Sequence, residues 1–179
     1  MLPVEIIKKY YKETTELYDI LLEHSFSVAD KALSIAQIRP DLNFDLGFIY
    51  EAAMLHDIGI FMTDAKEIKC YGKNHYICHG YLGGELLRKE GYPRHAFVCE
   101  RHTGTGLSVE TIIKLNLPLP KRDMIPETIE EKLICFADEF FSKKHLKKEK
   151  SVDEIRKSLS VHGEESVKKF NDWCKLFLD

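Results

Sequence analysis

The stretch Tyr50-Glu-Ala-Ala-Met-Leu-His-Asp-Ile-Gly59 decides how this chain is read, because it sets a histidine beside an aspartate at the end of an apolar helical run. Burying a carboxylate without a compensating cation is costly, so the pair His56-Asp57 calls for a metal ion. Asp45 offers an N-cap to this helix, and Gly59 a residue to end it. Four further residues extend the pattern: His24 upstream, His79 and His102 downstream, and Asp138 in Leu133-Ile-Cys-Phe-Ala-Asp-Glu-Phe-Phe141. The order is H, HD, H, H, D.

Outward from this stretch the periodicity is helical almost throughout. Val4, Ile6, Ile7 and Tyr10 predict a short helix with Pro3 near its start, and the apolar positions from Leu17 to Ile35 predict a longer one that carries His24. Arg39 to Asp45 reads as a loop. From Ile60 to Tyr76 the pattern is irregular and polar, and a loop of that length beside a ligand pair is a candidate lid. Helices are expected from His79 to Gly91, from Ala96 to His102, near Val109 to Leu115, from about Glu127 to Lys144 and within Val152 to Phe177. Gly83-Gly84 reads as close helix packing. No strand pattern of comparable quality appears, so the expected fold class is all-α, a helical bundle in a single domain over residues 1–179. Its core spans about 17–145, and a C-terminal helix packs on it.

With 179 residues and 44% hydrophobic content, one substantial core is the default. A formal charge of −3 gives no general attraction to nucleic acid or anionic lipid, so neither a nucleic-acid nor a membrane partner is expected. The five cysteines form no C-x-x-C pair and suit buried, reduced thiols. Together with the absence of a long apolar run or a leader-like N-terminus, they suggest a soluble cytoplasmic protein. Nothing in the sequence indicates an oligomeric state.

Neutral imidazoles and carboxylates suit iron or manganese best, with magnesium, zinc, cobalt or nickel also admissible. Consecutive helical residues point about 100° apart, so His56 and Asp57 reach one ion only at an irregular helix end, or else straddle two. We therefore assign His24, His56, Asp57 and Asp138 to a first ion and His79 and His102 to a second. Asp57 bridges them because a carboxylate has two oxygens where an imidazole has one lone pair. Paired ions generate a hydroxide nucleophile and neutralise phosphoryl charge, and no Ser-His-Asp, Cys-His or phosphate-loop constellation competes with that chemistry. His75 lies four residues before His79 and is a rival for the same ion or a proton donor to substrate.

His24, His56-Asp57 and Asp138 resemble the signature of the HD superfamily of metal-dependent phosphohydrolases, and His56-Asp-Ile-Gly59 matches its HDIG variant. The added His79 and His102 resemble the dinuclear branch, and family position selects His79 over His75. The resemblance covers about residues 17–145. Within it, Glu100-Arg-His-Thr-Gly-Thr-Gly-Leu107 and Ile125-Pro-Glu-Thr-Ile-Glu-Glu-Lys-Leu-Ile134 look like small, stand-alone HDIG proteins. It implies an HD-type helical bundle with two metal ions, in which metal-bound hydroxide attacks a nucleotide or another small phosphate ester or anhydride, with Asp57 and His75 as catalytic residues. Two alternatives share the superfamily: a di-iron oxygenase and a non-catalytic nucleotide sensor.

Two departures matter. Many relatives carry Lys or Arg directly after HDIG, where this chain has Ile60, and there is no GYP motif after His102, which disfavours a cyclic dinucleotide. Replacement substrate-binding cations are Lys66, Lys69 and Lys73 of the lid, Arg101, and Lys143. The run Lys143 to Lys150 lacks interleaved aromatics and reads as a solvated connector rather than a nucleic-acid patch.

Overall fold

The computed structural model describes residues 2–179 and contains nine α-helices and three short strands among them. Helix α1 (Pro3–Tyr10) has its proline in the first turn, where the missing N–H costs nothing. Helix α2 (Glu16–Ile38) is capped by the Thr15 side chain, which accepts from the Tyr18 N–H, and α3 (Leu46–Leu55) by Asp45, which accepts from the Phe48 N–H. Then follow α4 (His79–Lys89), α5 (Pro93–Arg101), α6 (Val109–Lys114), α7 (Ile129–Asp138), α8 (Val152–Ser160) and α9 (Glu164–Leu178).

Two large apolar interiors and a small third one, around Ile112 of α6 and Met124, hold these helices. In the first, Val28, Ala29 and Ala32 of α2 face Ala52 and Ala53 of α3, small side chains that let the two helices approach closely. Phe136 of α7 packs there at 5.2–5.4 Å from the rings of Phe140, Phe170 and Phe177, which ties α9 to the bundle. In the second, Ile7 and Tyr11, at and just beyond the end of α1, meet Leu21, Leu55, Ile58, Leu87 and Ala96. The metal-binding candidates lie at helix ends and turns, except for His24 within α2.

Several sequence expectations are corrected. Gly59 does not end α3, which stops at Leu55; residues 56–59 form a tight turn in which Ile58 N–H donates to Leu55 O and Ile60 N–H to Asp57 O. Gly59 has φ −83°, so its backbone needs no glycine. Space is the reason for it, because a Cβ there would overlap His79 O and the backbone of Gly83. Gly84 likewise lies against Ala96 O, so the Gly83-Gly84 pair serves close packing. The expected irregular lid contains 3-10 turns and a small sheet, with strands β1 (Thr63–Ala65), β2 (Cys70–Tyr71) and β3 (Asn74–His75) in the order β2-β1-β3. Strands of two or three residues are too short to display an alternating pattern.

The helix expected to reach Lys144 ends at Asp138. The single C-terminal helix is two, broken before Gly163, whose φ of +109° an L side chain rarely adopts.

Candidate metal centre

Six side chains from five elements meet at one place. His24 comes from the middle of α2, His56 and Asp57 from the turn after α3, His79 from the first residue of α4, His102 from the residue after α5, and Asp138 from the last residue of α7. Asp57 and His56 are fully buried. Asp57 divides its two oxygens between two sets of imidazoles. Its Oδ2 lies 3.1 Å from His24 Nε2 and 3.2 Å from His56 Nε2. Its Oδ1 lies 3.4 Å from His79 Nε2 and 3.5 Å from His102 Nε2. Asp138 Oδ1 completes the first set, 2.9 Å from His24 Nε2 and 3.5 Å from His56 Nε2.

One local device aims three of the four rings. His56 Nδ1 lies 2.6 Å from Ala53 O, His79 Nδ1 2.7 Å from Tyr76 O and His102 Nδ1 2.7 Å from Cys99 O, in each case the carbonyl three residues earlier. Carbonyls near helix ends and turns lack helical partners, so an Nδ1–H can donate to them and leave Nε2 as a lone pair facing inward. His24 sits mid-helix, and its Nδ1 is buried without a hydrogen-bond partner among the described residues. The Tyr76 ring stacks on His79 at 4.6 Å between centroids and fixes that ring from outside.

The resulting cage is a concentration of acceptors. His79 Nε2 and His102 Nε2 stand 3.0 Å apart with both Nδ1 atoms turned to carbonyls, so two lone pairs face each other beside Asp57 Oδ1. His24 Nε2, His56 Nε2 and both Asp57 oxygens are buried with no hydrogen-bond partner of acceptable geometry among the described residues. The Lys143 ammonium, 2.5 Å from Asp57 Oδ2, meets one of these acceptors, and the others call for a further cation. Two triads among the described residues bring their donor atoms within 4.8 Å of one another: His24, His56 and Asp138, and His56, Asp57 and His102. Nitrogen and carboxylate donors without thiolate fit a divalent transition ion, and the residues present therefore fit a metal.

The electrostatics show how strongly the cage draws positive charge, a proton on His56 standing where a metal would otherwise bind. Burial alone would lower the His56 imidazole, but Asp57 and Asp138 overrule it and raise it to about 10. Burial would also raise Asp57, yet the charges of Lys143 and His56 hold it well below the usual carboxylate range. His79 goes the other way: burial pushes it down to about 3, with His102 and Lys143 adding to the effect and Asp57 opposing it. One side of the cage thus attracts positive charge strongly, while the other presents neutral imidazole.

Beside the cage opens a cavity of about 370 Å³, whose wall includes Asp138, Glu139, Tyr76, Ser142, Lys143, Lys144, Lys150, Asp64 and Glu67. Of the five cations expected to meet substrate, Lys143 reaches this place. Its Nζ lies 2.5 Å from Asp57 Oδ2, largely buried, at the seam between cage and cavity. The connector 139–151 is therefore not merely solvated, since Lys144 and Lys150 also face the cavity, Lys144 paired to Glu67 at 2.8 Å.

The other four cations lie elsewhere. Lys66, Lys69 and Lys73 are exposed and outside the cavity wall, and Lys69 pairs with Glu16 at 3.1 Å. Arg101 is engaged by Glu131 at 2.9 Å and Glu127 at 3.1 Å while lying over Phe97. Nor does the structure bring His75 into the cage: it is exposed, and its Nδ1 accepts from the Ile77 N–H as a turn cap.

Sequence reasoning passed over Tyr76 and Glu139. Burial, then the neighbouring Asp138 charge, push the Glu139 carboxyl up to about 7. Adjacency to Asp138 was the available signal.

The model of the HD domain family matches residues 21–143. A tRNA (cytidine(56)-2'-O)-methyltransferase of Thermoplasma volcanium is 33% identical over 86% of this chain and 41% of its own length. An enzyme of the same name from Picrophilus torridus is 34% identical over 69% of this chain and 32% of its own. An uncharacterized protein of Methanocaldococcus jannaschii is 36% identical over 66% of this chain and 64% of its own. The chain spans less than two thirds of each of these relatives. No solved structure matches.

The two methyltransferase names overturn the expectation that nucleic acid is excluded. A net charge of −3 averages over every face of a chain and cannot rule out a local patch. Among the described residues, no helix is long and apolar enough to cross a membrane.

Proposed function

This chain belongs to the HD domain family, and on that footing we propose that it is a metal-dependent phosphohydrolase acting on a phosphate ester or anhydride of the nucleotide class. His24, His56, Asp57 and Asp138 would hold one ion, and His79 and His102 a second, with Asp57 shared. The observation that carries this reading is the division of the Asp57 carboxylate, one oxygen toward His24 and His56 and the other toward His79 and His102. Divalent ions in such a cage supply Lewis acidity and an acidified water.

The chain's own residues do the rest. The cavity is within the ordinary range for a small ligand, and the cage opens to it through Asp138. Lys143 would supply the cation that Ile60 does not, its ammonium meeting developing phosphoryl charge from its place 2.5 Å from Asp57 Oδ2. Burial would lower that amine, but Asp57, Tyr76 and Asp138 raise it, so it stays protonated through the neutral range. Tyr76 keeps His79 in place by stacking.

A second reading concerns where the phosphate sits. The tRNA methyltransferase names among the relatives favour contact with RNA, so the substrate phosphate is either on a free nucleotide or carried by an RNA.

The test is turnover by protein loaded anaerobically with iron or manganese. The panel holds nucleotides, dinucleoside polyphosphates, sugar phosphates and short RNAs bearing terminal phosphates. We expect one class to be hydrolysed, and chelation to abolish the reaction. Substrate-dependent oxygen uptake by the iron form would replace this reading with an oxygenase, and binding without turnover under every metal would replace it with a sensor.

A further inference from the structure

The three lid lysines expected at the substrate lie outside the cavity wall, and one of them belongs to a different surface. A groove of about 520 Å³ runs between the end of α1 with its following loop and the segment 61–71, and Tyr10, Phe61, Tyr71, Lys12 and Lys69 line it. Tyr10 and Phe61 stack at 6.1 Å with 24° between their planes, and the Tyr71 ring on edge strand β2 is 70% exposed. Lys12 and Lys69 add two ammonium groups to the lining against the Glu16 carboxylate, while Glu90 outside the lining accepts from the Tyr10 hydroxyl. That exposed Lys69–Glu16 pair is weak, so the ammonium can exchange the carboxylate for a phosphate. Aromatic faces beside cations are what a single-stranded nucleic acid requires, with bases stacking and backbone phosphates paired.

The groove floor is fixed, and it is joined to the cage. Tyr11 lies beneath Phe61, edge-on at 5.2 Å. Its hydroxyl donates to Ile58 O at 2.8 Å and accepts from the Phe61 N–H at 3.3 Å. Ile58 directly follows Asp57, so one buried hydroxyl ties the groove to the turn that carries the shared carboxylate.

We infer that this groove binds an unpaired segment of RNA, stacking bases on Tyr71 and Phe61 and holding phosphates with Lys12 and Lys69. The inference rests on the reading that the chain contacts RNA and names the surface that does so.

The experiment is fluorescence anisotropy of the full chain with a labelled, unstructured oligoribonucleotide, compared with a duplex of the same sequence, at low and moderate salt. The single strand should bind more tightly than the duplex. Tyr71→Ala should weaken binding by about fivefold or more. A Lys12→Ala/Lys69→Ala double variant should reduce the salt slope by about 1.4, two phosphates' worth for a single strand. Lys168→Ala, exposed on α9 and outside both the groove and the cage, should bind the strand as wild type does. If wild type binds RNA and both groove variants bind equally well, the groove assignment is wrong while RNA contact stands. If wild type binds no RNA, both fall.

Discussion

Phe136 and Asp57 are equally withheld from water, each at 0% exposure, yet they occupy opposite kinds of interior. Phe136 is surrounded by Phe140, Phe170 and Phe177, and its burial stabilises the fold without needing any particular partner atom. Asp57 is surrounded by four imidazoles and an ammonium, and its burial costs free energy that Lys143 offsets at one oxygen and bound metal would offset at both. The apolar interior holds α2, α3, α7 and α9 rigid enough to keep the second interior together. A site with orphaned acceptors exists only where such a frame supports it.

The comparison breaks most visibly at Asp57. Asp57→Asn keeps the shape and removes the charge, so turnover should fall by at least about 10³-fold, the several kcal/mol that paired ions supply, while the metal-free protein stays folded, less stable for the loss of Lys143's buried partner. Equal collapse of fold and turnover would make the cage a structural network instead. At Phe136 the expected effect is on stability: Phe136→Ala should lose about 3–5 kcal/mol in denaturant unfolding, with protein that remains folded still loading metal. Little change in the unfolding midpoint would contradict the packing described for α9.

Three smaller effects sharpen the contrast. Metal should stabilise the cage side alone, by about 2.7 kcal/mol at a hundredfold excess over Kd, read as a rise in unfolding free energy on loading that Asp57→Asn abolishes. Lys143→Ala should lower kcat/KM by about 10- to 100-fold, the range of a charge-assisted hydrogen bond, with metal content unchanged. An unaffected kcat/KM would remove Lys143 from the substrate. Tyr11→Phe removes the hydroxyl that donates to Ile58 O and accepts from the Phe61 N–H, and should cost about 1–2 kcal/mol by thermal unfolding.

How much of this was legible depends on the distance over which each cause acts. The helices were legible because their periods and caps are local, as Asp45 before α3 and Pro3 in α1 show. The six converging residues were marked by type, since histidine and aspartate inside apolar helical stretches need a reason, and the family order gave it. The end of α3 was not legible, because Gly59 is required by the backbone of α4 and not by its own φ. The cations were the weakest part: Lys143 reaches Asp57 only because α7 stops at Asp138 and the connector turns back, a tertiary fact. The aromatic groove joins residues 10–17 to 61–71, and no linear scan for interleaved aromatics and lysines could assemble it.

The most direct test of a shared carboxylate between two ions is metal stoichiometry by elemental mass spectrometry on anaerobically purified protein. Wild type should carry two ions per chain, His102→Ala one, and Asp57→Ala none. One ion in wild type, or two retained by His102→Ala, would contradict the two-ion cage.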